Sequence, residues 1–303
     1  MSRTVTVGLD GSPESLAAAD WAAREALLLD AALRIVHAGE APPHSYRPFA
    51  GEAVPPPGAD RSTHMLREAE ASLAYRHPGL PVIADRVAGQ AAAGLVAAAE
   101  DAQLLVLGSR GLGRTAGFLL GSVALAVVAR AQRPVVLVRA GAGSADEHMP
   151  GVFGTASRDT PYRDVVLGLD LADPHDAVIE FAFAAASRRA AGLRVVHGWN
   201  PPGLSAVFAD IPDAQRENEL AQHARQKLAD TLSVWRDKYP GVEVTEEAVI
   251  GQAGPHLADA ARNASLVVVG RKNRTASLGP HIGPVAHAVL HHASAPVVVV
   301  PHD

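Results

Sequence analysis

The chain has 303 residues, a formal net charge of −5, 48% hydrophobic and 19% charged residues, and no cysteine. At about 150 residues per domain this length predicts two domains, and the apolar content excludes a disordered chain. Disulfide frameworks, thiolate metal centres and cysteine nucleophiles are excluded outright, and the acidic balance argues against a broad nucleic-acid surface.

The first half alternates strands and helices. Residues 4–9 form a short β-rich run, after which Ser12 and Pro13 open a helix as N-cap and first helical residue. That helix reaches about residue 30 with apolar side chains at 16, 19, 23, 27 and 28, and strand two spans 33–38. Residues 39–60 are too rich in proline and glycine for regular structure. A loosely packed loop is the simplest reading there, with Tyr46 and Phe49 as candidates for partner contact. A helix then runs to about 77, strand three covers 82–87, a helix covers 91–102, and strand four covers 104–107. A glycine-rich loop leads into a helix at 121–131, and Pro134 introduces strand five. Strands four and five are apolar without alternation, as expected of a parallel sheet covered on both faces. Every apolar run is strand-sized, far short of the ~20 residues of a membrane span. The opening MSRTVTVGLDGS contains no signal-peptide core, so a cytoplasmic protein is expected.

The second half repeats the first. VTVGLDGS (5–12) matches VVLGLDLA (165–172), and LRIVHAG (33–39) matches LRVVHGW (193–199), both offset by 160. VAGQAAAG (87–94) matches VIGQAGPH (249–256), and LLVLGSRG (104–111) matches LVVVGRKN (266–273), both offset by 162. A period this long marks a tandem of whole domains, not a solenoid. The expected division is 1–140, a polar linker at 141–162, and 163–303.

Open parallel sheets bind ligands beyond the carboxyl ends of their strands, where strand order reverses. Two features fall there in the first half. Gly8, Leu9 and Asp10 end strand one. After strand four come Gly108-Ser109-Arg110-Gly111, nine residues, then Gly121-Ser122. Gly108 and Gly111 allow close backbone approach. Gly121-Ser122 opens a helix whose free N–H groups suit a phosphate, and Arg110 and Arg114 add charge. Asp10 fits a ribose hydroxyl or a magnesium shell better than a phosphate.

Gly-x2-Gly-x9-Gly-Ser, with an aspartate ending strand one and a histidine near the end of strand two, resembles the ATP-binding universal stress proteins. The duplication is similar to their tandem two-domain members, and the resemblance covers nearly the whole chain. It implies two Rossmann-like domains of the adenine nucleotide alpha hydrolase-like type. Each would hold a five-stranded parallel sheet in the order 3-2-1-4-5 flanked by helices. It further implies ATP, with Mg2+, as ligand: Leu9, Ala38 and Leu107 at the adenine, Asp10 and Gly108 at the ribose, and Gly111, Gly121, Ser122 and Val123 at the phosphates. The activity implied is that of a nucleotide-dependent sensor or regulator in stress response, not an enzyme. The expected assembly is a homodimer, with the two repeats pairing inside one chain and no nucleic-acid or membrane partner.

The second half departs from this pattern. Gly270-x2-Asn273-x9-Gly283-Pro284 keeps the spacing but replaces a glycine and the serine, and Gly11-Ser12 becomes Leu171-Ala172. Asparagine tolerates a left-handed backbone, whereas Pro284 removes a donor and the hydroxyl. The counterpart positions Asp170, Gly198, Val269, Gly270 and Gly283 are therefore expected to bind nucleotide weakly or not at all.

Other chemistries fit less well. A phosphate-binding loop of the GxxxxGK[ST] type needs a lysine, and the first 226 residues contain none. GxSxG is imperfect around Ser109, and GxGxxG is missing after strand one. Weak ATP hydrolysis and a non-binding interaction role for the second half remain the alternatives, with a flavoprotein as a more distant one. His287 and His291 have the i, i+4 spacing of a zinc pair but no evident third ligand, so a solvated or interface face is expected. His37 and His197 are expected to hydrogen-bond locally rather than act as bases.

Overall fold

The computed structural model describes residues 3–39, 59–109, 120–151, 154–199, 214–273 and 282–303. They form two compact units, divided close to residue 141.

In the first unit the elements are β1 (Thr4–Gly8), α1 (Pro13–Leu28), β2 (Ala32–Gly39), α2 (Ala59–Arg76), β3 (Val82–Ala88), α3 (Ala91–Glu100), β4 (Leu104–Ser109), α4 (Ser122–Arg130) and β5 (Val135–Arg139). All pairings are parallel. β1 lies between β2 and β4, β3 flanks β2, and β5 flanks β4. The order β3-β2-β1-β4-β5 reverses direction beside β1, which opens a crevice between the carboxyl ends of β1 and β4. The proline- and glycine-rich segment with Tyr46 and Phe49 lies almost wholly outside the described residues.

The second unit contains α5 (Ser144–Glu147), β6 (Val165–Gly168), α6 (Asp176–Arg188), β7 (Leu193–Trp199), α7 (Ala214–Lys238), β8 (Val244–Ile250), α8 (Ala253–Ala260), β9 (Leu266–Lys272), α9 (Pro284–His292) and β10 (Val297–His302). Its strands run β8-β7-β6-β9-β10, again all parallel. The polar segment before β6 folds onto this unit. The Arg163 guanidinium donates to the His148 carbonyl at 2.8 Å and to Asn263 Oδ1 at 3.0 Å, and the His148 and Tyr162 rings lie 4.0 Å apart.

Central strands are buried on both faces, as at Val5, Val7, Leu105, Val106, Val136, Val166, Val268 and Val298. Burying each such side chain contributes about 1.5–3 kcal/mol. The outer strands β3 and β8 are only partly covered and leave Ile83 and Ile250 exposed. In α1 the buried face differs from the predicted stripe. Ala18, Ala19, Trp21, Ala22, Ala23 and Ala26 are buried, Ala19 and Ala23 as the pattern predicts, while Leu16 and Leu27 are half-exposed. Alanine lets the helix axis approach the sheet closely, so the small residues win the inner face and the leucines are left at its margin.

Candidate nucleotide site and its counterpart

At the end of β1 the chain turns sharply into α1. Gly11 takes a left-handed backbone (φ 84°) that a side chain would strain. Asp10 Oδ1 accepts from the Ser12 backbone N–H at 3.0 Å and from the Ser12 hydroxyl at 2.5 Å. Ser12 in turn caps the helix by accepting from the Ser15 N–H at 3.2 Å, with Pro13 in the first turn as read from the sequence. Asp10 thus shapes the turn as well as facing the crevice. The His37 Nδ1–H donates to the Leu9 carbonyl at 2.8 Å, fixing the backbone just before Asp10. His197 does the same to Leu169 at 2.9 Å, the local role expected of both histidines.

Gly108, at the end of β4, faces the first turn of α1. A Cβ there would lie 2.6 Å from the Glu14 carbonyl carbon and 2.7 Å from the Ser15 nitrogen. Only glycine lets helix and strand approach this closely. A cavity of about 140 Å³ results, lined by Gly8, Leu9, Asp10, Ala38, Leu107, Gly108, Gly121, Ser122 and Val123. Every described first-half position expected to bind nucleotide therefore meets in one cleft. Arg110, Gly111 and Arg114 lie outside the described residues. Gly121 is the N-cap of α4 and supplies no side-chain cap, so the first-turn N–H groups of α4 are not claimed by one. Sequence reasoning missed Glu14 and Ser15, which also line the cleft. Their signal was the proline-marked helix start only three residues beyond Asp10.

The second unit gathers Asp170, Gly198, Val269, Gly270 and Gly283 around a larger cavity, about 590 Å³. The difference begins at the helix start. Ala172 offers no capping hydroxyl, and Pro174 disfavours a helical Asp173 before it. α6 therefore starts at Asp176, one turn later than its counterpart, and is capped by His175, whose Nδ1 accepts from the Ala177 N–H at 3.3 Å. The place over Gly270 falls to the His302 ring instead of helix backbone. A Cβ at Gly270 would lie 2.8 Å from His302 Nε2. Leu171, in place of Gly11, is buried. Asn273 does not adopt the left-handed backbone its type tolerates. Its N–H donates to the His302 carbonyl at 2.5 Å and prolongs the β9–β10 ladder. Pro284 sits in the first turn of α9, where it is harmless to the helix.

Lys272 Nζ donates to Asp173 Oδ2 at 2.7 Å, and this bond holds the Asp173 carboxyl below the usual range. The His175 and His302 rings lie 4.7 Å apart, and burial lowers the His302 pKa. These four residues escaped sequence reasoning; the missing serine and the added proline were the signals that could have pointed to them. The His287 and His291 rings lie 4.4 Å apart on α9. Among the described residues no group of three or more His, Cys, Asp or Glu is placed to hold a metal ion. No helix among them is long and apolar enough to cross a membrane.

Comparison with known proteins agrees with this architecture. The model of the universal stress protein family matches residues 1–139 and again 161–301. Universal stress protein Rv1996 of Mycobacterium tuberculosis is 33% identical, over 99% of this chain and 96% of its own length. Universal stress protein Rv2005c of the same organism is 32% identical, over 97% and 96%. A crystal structure of a universal stress protein from Archaeoglobus fulgidus shares the fold with a TM-score of 0.66, at 16% identity and full coverage of both chains. Two family matches in one chain, each covering one of its repeats, make this protein a tandem member of the universal stress protein family.

Proposed function

We propose that the protein binds ATP with Mg2+ in its first unit and acts as a nucleotide-dependent sensor or regulator rather than as an enzyme. The observation that carries this reading is the single cleft lined by Gly8, Leu9, Asp10, Ala38, Leu107, Gly108, Gly121, Ser122 and Val123. Apolar Leu9, Ala38 and Leu107 offer the purine a dry slot. Asp10 stands at the ribose end, and the first turn of α4 offers N–H groups to a phosphate. At about 140 Å³ the cleft is smaller than the roughly 300–1,000 Å³ of typical cofactor sites. In this reading the base and ribose enter it, and the phosphates lie at its mouth beside Gly121 and Ser122. From the ribose end the Asp10 carboxylate can also join the shell of Mg2+, most of which is phosphate oxygen and water. Bound Mg2+ would neutralise the polyphosphate beside Asp10. The same reading makes the protein a cytoplasmic homo-oligomer whose nucleotide state alters its choice of partner.

Mass analysis of nucleotide released from the freshly purified protein tests the ligand. Calorimetric titration with Mg-ATP tests the site. Asp10→Ala and Gly121→Val are each expected to weaken first-unit binding by roughly 10–100-fold, the loss of one charge-assisted hydrogen bond or of close approach to the phosphate. Unchanged affinity in both variants would remove the assignment.

A further inference from the structure

The second cavity is the larger of the two, yet it lacks the serine and second glycine of the phosphate motif. Its chemistry lies elsewhere. Its lining combines apolar Leu169, Val178, Val269 and Val285 with Lys272, His175 and His302 and the carboxylates of Asp170 and Asp173. The described lining of the first cavity, by contrast, has Asp10 and Glu14 as its only charged side chains.

We propose that the second cavity is a separate anion site, in which Lys272, His175 and His302 hold the phosphoryl end of a small ligand and proton uptake by His302 accompanies binding.

Hydrogen-bond roles assign the donors. His175 Nδ1 accepts from the Ala177 N–H, so the hydrogen of the neutral ring is on Nε2. His302 Nδ1 faces the Asp303 carbonyl at 3.2 Å, which can only accept, so the lone pair of the neutral ring is on Nε2, over Gly270. A proton arriving on His302 therefore lands on the nitrogen beside the cavity and turns it into a donor. His302 meets His175 and Asp173 from the segment before α6, Lys272 from β9, and Asp303 next to it in the chain. With Asp173 shared with Lys272, a second cation there is only partly compensated until an anion arrives. Releasing Asp173 costs little. That ion pair is more than half exposed on both sides, and such pairs contribute little. A phosphoryl group offers Lys272 the same charge and more acceptor oxygens.

This inference does not rest on ATP binding in the first unit, and its test separates the two. The full chain carrying Gly121→Val is titrated with inorganic pyrophosphate while the ring signals of His175 and His302 are followed by NMR. Binding should persist in that background, raise the His302 pKa, and be roughly tenfold tighter near pH 6 than near pH 8. Lys272→Met should abolish the effect and Lys272→Arg should restore it. Because Lys272 is exposed, neither change threatens the fold. Ring signals that pyrophosphate leaves unmoved, binding independent of pH, or full binding by Lys272→Met would each overturn the proposal.

Discussion

The two units share strand order and most of their core, yet their clefts differ because two helices start at different places. α1 begins three residues after Asp10, whereas α6 begins six residues after Asp170. In the first unit helix backbone presses onto Gly108; in the second a histidine ring stands over Gly270. One turn of helix thus exchanges a narrow cleft for a wide one with a titratable wall. The lesson is that a glycine retained at matched positions does not retain its reason, because what approaches it has changed.

Replacing those two glycines is the strongest way to break this comparison. Gly108→Ala drives a methyl into helix backbone that cannot swing aside, and should destabilise the first unit by about 1–3 kcal/mol. At Gly270→Ala the nearest atoms belong to the side chains of His302 and Val178, so its cost should be clearly smaller. Denaturation followed by Trp21 in the first unit and by Trp199 and Trp235 in the second measures both. Equal costs would mean that the helix starts do not set the two clefts apart.

The helix pairs behind the sheets provide a second contrast. Asp20 of α1 meets Arg24, Arg76 and His77, while Glu180 of α6 meets Lys238 at 2.5 Å. Burial alone would raise the Asp20 pKa, but the charges of Arg24 and Arg76 and the His77 hydrogen bond outweigh it and hold the carboxyl below 3.8. A carboxyl depressed on folding contributes stability above its unfolded pKa, and that contribution is lost as pH falls through the folded value. Asp20→Asn should therefore cost about 1–2 kcal/mol at neutral pH, with the difference from the parent closing below about pH 4. Glu180→Gln breaks a pair that is half exposed and should cost clearly less than Asp20→Asn. Urea titrations at several pH values check both. A pH-independent cost for Asp20→Asn would show that its charge is not what matters.

The smallest effect sharpens a likeness. Asp30 and Ala190 both follow a helix end with left-handed backbone, φ 49° and 47°. Ala190→Gly should stabilise the second unit by about 1 kcal/mol, because alanine bears the full left-handed penalty. Asp30→Gly should gain less, since aspartate tolerates that region better. Melting temperatures that rank the two the other way would contradict this account.

Much of the fold was legible because it rests on patterns local in sequence. Unalternating valine runs announce strands covered on both faces, and Ser12-Pro13 announces a helix start. Segments matched in the same order announce the tandem. The α1 inner face was misjudged because hydrophobicity favours leucine, while packing at short helix–sheet distance favours alanine. In the first cleft, spacing named Gly8, Asp10, Gly108, Gly121 and Ser122, since the carboxyl ends of β1 and β4 must adjoin once strand order is set, and the family resemblance added Ala38, Leu107 and Val123. In the second, spacing named the floor but not the wall.

The sequence by itself determined the duplication, the alternation of strand and helix, and the glycine positions around each crevice, because each is written in short-range periodicity or direct repetition. Only the tertiary structure decided that His302, from the last strand, stands over Gly270 beside His175 and Lys272. That placement depends on where a helix begins and on which distant strand end fills the space it leaves, and side-chain volume competing for one position in space has no signature along the chain.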